Sequence, residues 1–171
     1  DIVLKAFGLV AASQGTMNNT LFGNKNFGYY ETICGGCGAS EGFNGASAVH
    51  HHMTNTRITD PEIMEHRYPV RLEEFSIRKN SGGKGKWNGG DGVKRVITFL
   101  EPVNLSVLSQ RRNSQPFGIN GGNSGKSGVQ KIIRKNGEVV ELDSIQNINI
   151  EAGDKFIIKT PGGGGFGKLE D

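Results

Sequence analysis

The sequence predicts an α+β domain that is mainly β, built from antiparallel strands, long glycine-rich loops and two short helices. Three observations support this fold class. Short apolar runs alternate with polar residues through the second half of the chain, which is typical of half-buried strands. Glycine accounts for 27 of 171 residues, above the ordinary usage of about 7%. Asn136-Gly137 lies between two apolar runs, which is the strongest short signal for a β-hairpin.

Composition limits the class of protein. The length of 171 residues fits a single domain spanning 1–171, and the 35% hydrophobic content argues against disorder. The formal net charge is only +3, without a long run of like charges, so no nucleic-acid partner is expected. No apolar run reaches the roughly 18 residues of a membrane helix, and no signal peptide is recognisable at the start. We therefore expect no membrane contact and a cytoplasmic location.

The first thirty residues predict one helix, one loop and one strand. Apolar residues crowd a helical window over residues 2–12, so a short helix is expected to start near Asp1, although Gly8 disfavours it. Residues 13–20 are polar and rich in turn formers, which indicates a loop or a strand exposed on one side. Residues 22–30 then predict a strand that leads into a glycine turn.

A second helix is predicted just before the middle of the chain. Thr59 or Asp60 can cap it, Pro61 suits a first helical position, and Glu62 can complete a capping box. The helix should end by Tyr68, because a following proline disfavours helical backbone in the preceding residue.

The remainder of the chain predicts strands. They are expected at residues 71–78, 93–100 and 103–109, in a hairpin formed by 130–134 and 138–142, and in a last pair formed by 148–150 and 155–160 around a Gly153-Asp154 turn. The glycine-rich residues 81–92 could cradle a phosphate with Lys84, but a P-loop leads into a helix and this segment leads into a strand. We favour a structural turn system anchored by Trp87. The glycine-rich tail 161–167 is either a flexible end or backbone that lines a site or a subunit contact.

Chemistry-bearing residues concentrate in residues 29–70, which hold both cysteines and all four histidines. The Cys34-Gly35-Gly36-Cys37-Gly38 turn permits close backbone approach, since glycine has no Cβ. If residues 50–57 form a strand, His50, His52, Thr54 and Thr56 share one side, and His51, Met53, Asn55 and Arg57 share the other.

This segment carries a family resemblance. The string YYETICGGCGASEGFNGASAVHHHMTNTRITDPEIMEHRYPVRLEEFSIR, followed by SGGKGKWNGGDGVKR and TPGGGGFG, resembles the C-terminal region of the hydantoinase B/oxoprolinase family, which includes N-methylhydantoinase B subunits, 5-oxoprolinases and a subunit of acetone-type carboxylases. The resemblance extends over roughly residues 11–167. Family members are much longer, so the chain is expected to be a C-terminal fragment of such a subunit. The family's metal site is expected upstream, outside this chain.

The resemblance implies a function. A hydantoinase A-type subunit would use ATP to activate the ring carbonyl of a hydantoin or of 5-oxoproline, and the B subunit would complete hydrolysis of this small cyclic amide. ATP and a divalent metal are thus implied for the complete enzyme, an ATP-dependent cyclic amidohydrolase, whereas no cofactor or metal is expected on this fragment, which should be inactive alone. An oligomer with the A-type subunit is expected.

Specific site residues follow as predictions. The expected substrate-binding residues are Gly35, Gly36, Thr54, Asn55 and Arg57. Catalytic residues stay unassigned, with His50, His52 and Cys34 as the candidates. Arg57, Arg111 and Arg112 could each hold an anion, but we favour solvated or Glu-paired arginines.

Two other classes of function remain open. One is a non-catalytic assembly module of an acetone-carboxylase-like complex, which would expose a large apolar surface in isolation. The other is a small zinc-binding module using Cys34, Cys37 and a histidine, although the second histidine of a zinc-finger spacing is missing. The interpretation favoured for the cysteines is a pair of free, buried thiols in a reducing cell.

Overall fold

The architecture is described from a computed structural model, which defines residues 1–51, 54 and 56–169. The helices are α1 (Ile2–Ala6) and α2 (Pro61–Arg67). The strands are β1 (Asn19–Gly23), β2 (Gly28–Thr32), β3 (Val70–Ile77), β4 (Val93–Phe99), β5 (Val103–Leu108), β6 (Val129–Ile133), β7 (Val139–Glu141), β8 (Ile145–Ile150) and β9 (Lys155–Lys159).

The described strands form two antiparallel sheets. The first has the order β2-β1-β5-β8, and the second has the order β3-β4-β9-β6-β7. The predicted fold class, mainly β with two short helices, is confirmed for the described part of the chain. The inward faces alternate as expected; β5, for example, buries Val103, Leu105 and Val107 and directs the intervening residues outward.

The sheets meet in an apolar core with an aromatic centre. Phe22 of β1 packs edge-to-face against Phe99 of β4, with ring centroids 5.3 Å apart, and its ring lies 4.8 Å from that of Tyr29. Such pairs add roughly 0.5–1.5 kcal/mol beyond the area they bury. This cluster therefore joins the two sheets directly.

The N-terminal helix is shorter than predicted. It ends at Ala6 because Gly8 adopts a left-handed φ of +66°, and none of its residues is buried. Residues 13–18 form the expected loop, although Gln14 and Asn18 are buried within it. The single strand predicted over 22–30 is wrong: β1 and β2 form a hairpin there, closed by a hydrogen bond from Asn24 N–H to Phe27 O of 3.0 Å.

Helix α2 forms at the predicted place, but Glu62 does not complete a capping box, since Thr59 N–H donates to Glu31 instead. The carboxylate of Asp60 accepts hydrogen bonds from the backbone N–H groups of Glu62 at 2.9 Å and Ile63 at 3.3 Å, so Asp60 is the cap. The helix stops at Tyr68, whose extended backbone fits the position before proline. Among the described residues, no helix has both the length and the apolar character needed to cross a membrane.

The last two strands do not pair with each other, which corrects the prediction of a final strand pair. Strand β8 pairs with β5 in the first sheet, whereas β9 lies between β4 and β6 in the second. Alternation reveals which face of a strand is buried but not which strand lies beside it. The predicted hairpin of β6 and β7 is confirmed, with Gly137 at a φ of +90° in its turn.

Glycine-rich segments form a third structural unit, which we call the glycine layer. It comprises residues 34–38, 81–85, 88–92, 116–125 and 161–167. Extended backbones stack here through hydrogen bonds, including Gly163 N–H to Gly90 O at 2.8 Å and Gly83 N–H to Gly163 O at 2.8 Å. Residues 161–167 are buried. The interpretation of the tail as a flexible end is therefore wrong.

The glycine-rich residues 81–92 are ordered by their own side chains. The carboxylate of Asp91 accepts hydrogen bonds from Ser81 N–H at 2.8 Å and Gly82 N–H at 2.7 Å. The amides that a phosphate would need are thus used by an anionic group of the chain itself. Trp87 packs against Phe166 with ring centroids 5.7 Å apart, in agreement with the favoured structural interpretation.

Candidate functional site

The candidate site is a cavity of about 210 Å³ beside the glycine layer. Cys34 lies two residues after the end of β2, and His50 follows the Gly35–Val49 bridge that closes the segment between them. Both residues line this cavity, which we call the thiol–imidazole cavity. Its remaining lining is mostly apolar: Ala48, Ile58, Phe75, Ser76, Ile77 and Val93. The structure therefore brings two of the three predicted catalytic candidates together.

Cys34 is a poor nucleophile in this setting. Its side chain is buried and free, and burial raises the pKa of the thiol to about 11. A catalytic cysteine needs a lowered pKa, since the thiolate is the reactive form. Cys37 is also a free thiol whose pKa is raised by burial. The prediction of a pair of free thiols is confirmed, although only Cys34 is fully buried.

His50 is the polar group with the most unused hydrogen-bonding capacity in this cavity. Both ring nitrogens are buried, and neither has a hydrogen-bond partner among the described residues. Burial lowers the pKa of the imidazole, while the nearby Glu31 carboxylate opposes that shift. A neutral imidazole offers one donor and one acceptor. His50 can therefore donate a hydrogen bond to a ligand through one ring nitrogen or accept one through the other.

A buried ion pair packs against one wall of the thiol–imidazole cavity. Arg95 of β4 and Glu31 of β2 approach to 3.1 Å with side chains 1% and 4% exposed, so a charged contact joins the two sheets. Glu31 also accepts a hydrogen bond of 3.1 Å from Thr59 N–H, and the Arg95 guanidinium lies 5.1 Å from the centre of the Phe75 ring. The pair fixes both the segment before α2 and one wall of the cavity.

Sequence reasoning missed this ion pair. The signal was present, since Arg95 shares the inward face of β4 with Val93, Ile97 and Phe99. A charge at an inward position predicts a buried partner, because an unpaired buried charge is too costly. The identity of that partner depends on how the sheets pack.

The predicted binding residues occupy different environments. The N–H of Gly35 donates to Val49 O at 3.3 Å and that of Gly36 to Pro161 O at 3.1 Å, so both glycines belong to the glycine layer. Thr54 is half-buried and its N–H donates to His51 O, while Arg57 is exposed. The described residues around His51 are not in a strand, so the predicted alternation of residues 50–57 does not hold for them. His52, Met53 and Asn55 lie outside the described residues.

The adjacent arginines differ from the expectation of solvated or Glu-paired side chains. Arg111 lies 3.8 Å from the Asp1 carboxylate. Within the described part of the chain, Arg112 donates to neutral acceptors, among them Asn18 Oδ1 at 3.1 Å and Gln130 Oε1 at 2.9 Å. Burial lowers the pKa of Arg112 to about 10, so this guanidinium still carries its charge at neutral pH.

The described residues form no resident metal site, and three amides of the glycine layer are not free to bind phosphate. Within residues 1–51, 54 and 56–169, no three His, Cys, Asp or Glu side chains are grouped closely enough to hold a metal. The amides of Gly36, Gly83 and Gly163 donate to backbone carbonyls, so they form no open phosphate cradle. Chemistry that depends on either group is therefore not assigned to these residues.

Comparison with known proteins identifies the family. The model of the hydantoinase B/oxoprolinase family matches residues 1–169. This chain belongs to the hydantoinase B/oxoprolinase family. It is 55% identical to the 5-oxoprolinase of Dictyostelium discoideum over 170 residues, which cover 99% of this chain but 13% of that relative. The chain thus spans only a small part of the length of this oxoprolinase.

Two solved structures share the fold. The ATP-dependent caprolactamase from Pseudomonas jessenii superimposes with a TM-score of 0.78 at 21% sequence identity. The match covers 94% of the present chain and 30% of the caprolactamase chain. A nucleotide-free acetone carboxylase superimposes with a TM-score of 0.75 at 16% identity, covering 92% and 26% of the respective chains. At these identities the two structures support the fold alone.

Proposed function

We propose that this chain is the C-terminal region of a longer subunit that, with an A-type partner, opens a cyclic amide such as 5-oxoproline or a hydantoin in an ATP-dependent reaction. The carrying observation is the family match over residues 1–169, together with 55% identity to a 5-oxoprolinase. Because the chain spans only 13% of the length of that relative, the isolated chain is expected to be inactive. A cytoplasmic location and a hetero-oligomeric state remain parts of this proposal.

Within that enzyme, the thiol–imidazole cavity contributes part of the pocket wall. A cyclic amide presents an N–H donor and a C=O acceptor, and His50 can pair with one of these two groups through one ring nitrogen. Cys34 contributes a neutral thiol and bulk rather than a thiolate, because of its raised pKa. Gly35 and Gly36 lie in the adjoining glycine layer, and a direct contact of theirs with substrate remains a prediction. Binding roles for Thr54, Asn55 and Arg57, and a catalytic role for His52, remain predictions.

The test uses the full-length subunit with its A-type partner. Ring opening of 5-oxoproline and of hydantoin is measured as ATP-dependent product formation, with each protein alone as a reference. We expect product only when both proteins are present, and we expect His50→Gln to raise the KM for the cyclic amide. The matched control is His66→Gln, which changes an exposed histidine on α2. Full activity of His50→Gln would exclude His50 from the pocket, and no ring opening by the wild-type pair would refute the function.

A non-catalytic assembly role is the second candidate. The apolar side chains of Ile2, Val3, Phe7 and Leu9 are 83%, 67%, 73% and 55% exposed, which is the kind of surface that a partner covers. The shared fold with an acetone carboxylase chain is compatible with this role. It predicts that Phe7→Glu weakens complex formation in analytical ultracentrifugation without altering ring opening by the assembled enzyme.

A zinc module is the remaining alternative. Cys34 and Cys37 would need further ligands, and His52 lies outside the described residues. Metal analysis of the purified chain tests it, since stoichiometric zinc that is lost with Cys34→Ser would favour this class over the enzyme fragment.

A further inference from the structure

A second and larger cavity is lined in part by His51, the neighbour of His50 in the chain. It has a volume of about 330 Å³ and is lined by Gly15, Thr16, Met17, Asn19, His51, Leu108, Ser109, Gln110 and Ile145. This cavity is larger than the thiol–imidazole cavity, and the two share none of their described lining residues. Of the predicted catalytic and binding residues that the structure describes, none lines it. We call it the donor cavity, for the reason that follows.

Thr16 points to a ligand that accepts a hydrogen bond. Its Oγ1 already accepts from Asn18 N–H at 3.2 Å and from Gln110 N–H at 2.9 Å, which uses both of its acceptor positions. Its hydroxyl proton has no acceptor among the described residues. The hydroxyl can therefore serve only as a donor toward a further group.

Two side-chain amides add donors to the same cavity. Asn19 is 5% exposed, and its Oδ1 accepts from Thr32 Oγ1 at 3.1 Å, while its Nδ2 has no partner among the described residues. The Nδ2 atom of Asn19 is not fully buried, so it can be reached by a ligand in the cavity. The Gln110 side chain likewise has no described partner. Three unpartnered donor groups thus belong to the lining of one cavity.

The charges around the cavity favour an anion. Among the described residues that line the cavity, none is acidic. The Arg112 guanidinium lies directly behind it, because it donates to Gln110 O at 2.7 Å and to Gln130 Oε1 at 2.9 Å, and Gln130 in turn accepts from Ser109 Oγ at 3.3 Å. A buried cation surrounded by neutral acceptors is stabilised by a nearby negative charge.

Two further features support a built site. Asp1 is the acidic residue near Gly15, but its carboxylate is used by Ser13 Oγ at 3.0 Å and by Arg111 at 3.8 Å. Asn18 and Arg111 adopt left-handed φ values of 44° and 58°, a strained backbone for non-glycine residues. Strain of this kind concentrates where a fold positions functional groups.

We propose that the donor cavity binds the carboxylate of a small organic acid, with its apolar part against Met17, Leu108 and Ile145. The carboxylate accepts hydrogen bonds from Thr16, Asn19 and Gln110, and the charge of Arg112 stabilises it from behind. This inference does not depend on the proposed function, because it rests on this cavity alone. If both hold, the chain selects a cyclic amide that carries a carboxylate over one that lacks it.

The test compares two ligands that differ in one group. The ¹⁵N-labelled chain is titrated with 5-oxoproline and, separately, with 2-pyrrolidinone, which has the same ring without the carboxylate. We expect saturable shifts of the Asn19 and Gln110 side-chain amide signals with 5-oxoproline only. Acetate, which keeps the carboxylate and lacks the ring, is expected to shift the same signals at higher concentration. The affinity for 5-oxoproline should change only weakly with salt, since ions in solution screen a buried charge such as that of Arg112 poorly.

A matched pair of variants localises the binding. Gln110→Ala removes a donor of the cavity and should weaken 5-oxoproline binding about fivefold, since a hydrogen bond to a charged group contributes more than a neutral one. Gln115→Ala changes another exposed glutamine, which is absent from the lining, and should leave the affinity unchanged. Equal binding of 5-oxoproline and 2-pyrrolidinone would overturn the proposal. Shifts confined to other residues, equal effects of the two variants, or no binding at tens of millimolar ligand would overturn it as well.

Discussion

The glycine layer gives the sharpest prediction, and Gly36→Ala tests it. A Cβ built on Gly36 overlaps the carbonyl oxygen of Gly90 and lies 2.5 Å from Gly163 N and 2.7 Å from the Gly90 carbonyl carbon. Real Cβ atoms essentially never approach other atoms closer than 3.0 Å. All three atoms are backbone, so no flexible side chain can move aside. At least one stacked segment must therefore shift.

The magnitude follows from what that shift breaks. Overpacking a core costs about 1–3 kcal/mol. Moving the segments apart also disrupts the hydrogen bonds from Gly36 N–H to Pro161 O at 3.1 Å and from Gly163 N–H to Gly90 O at 2.8 Å. Each bond contributes about 1 kcal/mol. We expect Gly36→Ala to lower the free energy of unfolding by about 3–5 kcal/mol.

Urea denaturation followed by circular dichroism measures this loss. The matched control is Gly28→Ala, because a Cβ there meets no atom within 4 Å and its φ is not left-handed. Gly28→Ala should stay within about 1 kcal/mol of the wild type, since removing a glycine also restricts the unfolded chain. If Gly36→Ala cost less than about 1 kcal/mol, the stacked backbones would not be packed as described, and the reasoning would fail.

Three further predictions concern the thiol–imidazole cavity and its support. Glu31→Gln should lower the free energy of unfolding by about 3 kcal/mol, because it leaves the Arg95 cation buried without a counter-charge. Adding Arg95→Met to this variant should recover much of the loss, and urea denaturation measures both effects. Cys34 should react slowly with iodoacetamide at pH 7–8 and faster as pH approaches its pKa of about 11, as followed by mass spectrometry. Because the pKa of His50 is lowered in the folded chain, the unfolded chain binds a proton at this residue more readily. The free energy of unfolding should therefore begin to fall below about pH 6.5 and decline further as pH drops through the folded-state pKa. His50→Gln should flatten this pH dependence, as measured by thermal unfolding at several pH values.

Each of these three has an outcome that contradicts it. An unchanged stability of Glu31→Gln would mean that the ion pair does not form. Rapid alkylation of Cys34 at neutral pH, at the rate found in urea, would show an exposed or activated thiol. The same pH dependence in His50→Gln as in the wild type would assign the acid sensitivity to other groups, and His66→Gln serves as the control because His66 is exposed.

The elements that the sequence predicted well are those defined by local chemistry. Helix α2 was predicted from its cap and the following proline, and the hairpin of β6 and β7 from Asn136-Gly137. Both signals act within a few residues, so no knowledge of the rest of the fold was needed. The separation of β8 and β9 into different sheets was beyond that reach, because strand partners are chosen by packing.

The candidate site divides in the same way. Cys34 and His50 were selected from the sequence because their residue types carry chemistry, and the fold places both on one cavity. Their protonation was not predictable, since the pKa of each depends on burial by segments distant in the chain. Glu31, Arg95 and the whole donor cavity were missed for the same reason.

The sequence by itself therefore determined the fold class, the short helix α2, the hairpin of β6 and β7, and the family to which the chain belongs. These properties depend on local backbone preferences and on long strings of residue identities. Only the tertiary structure decided that the glycines form a packed layer rather than loops, that Glu31 neutralises Arg95 across two sheets, and that consecutive histidines line separate cavities. Those outcomes depend on which distant backbones and charges come within a few ångströms of each other, and no local pattern encodes that distance.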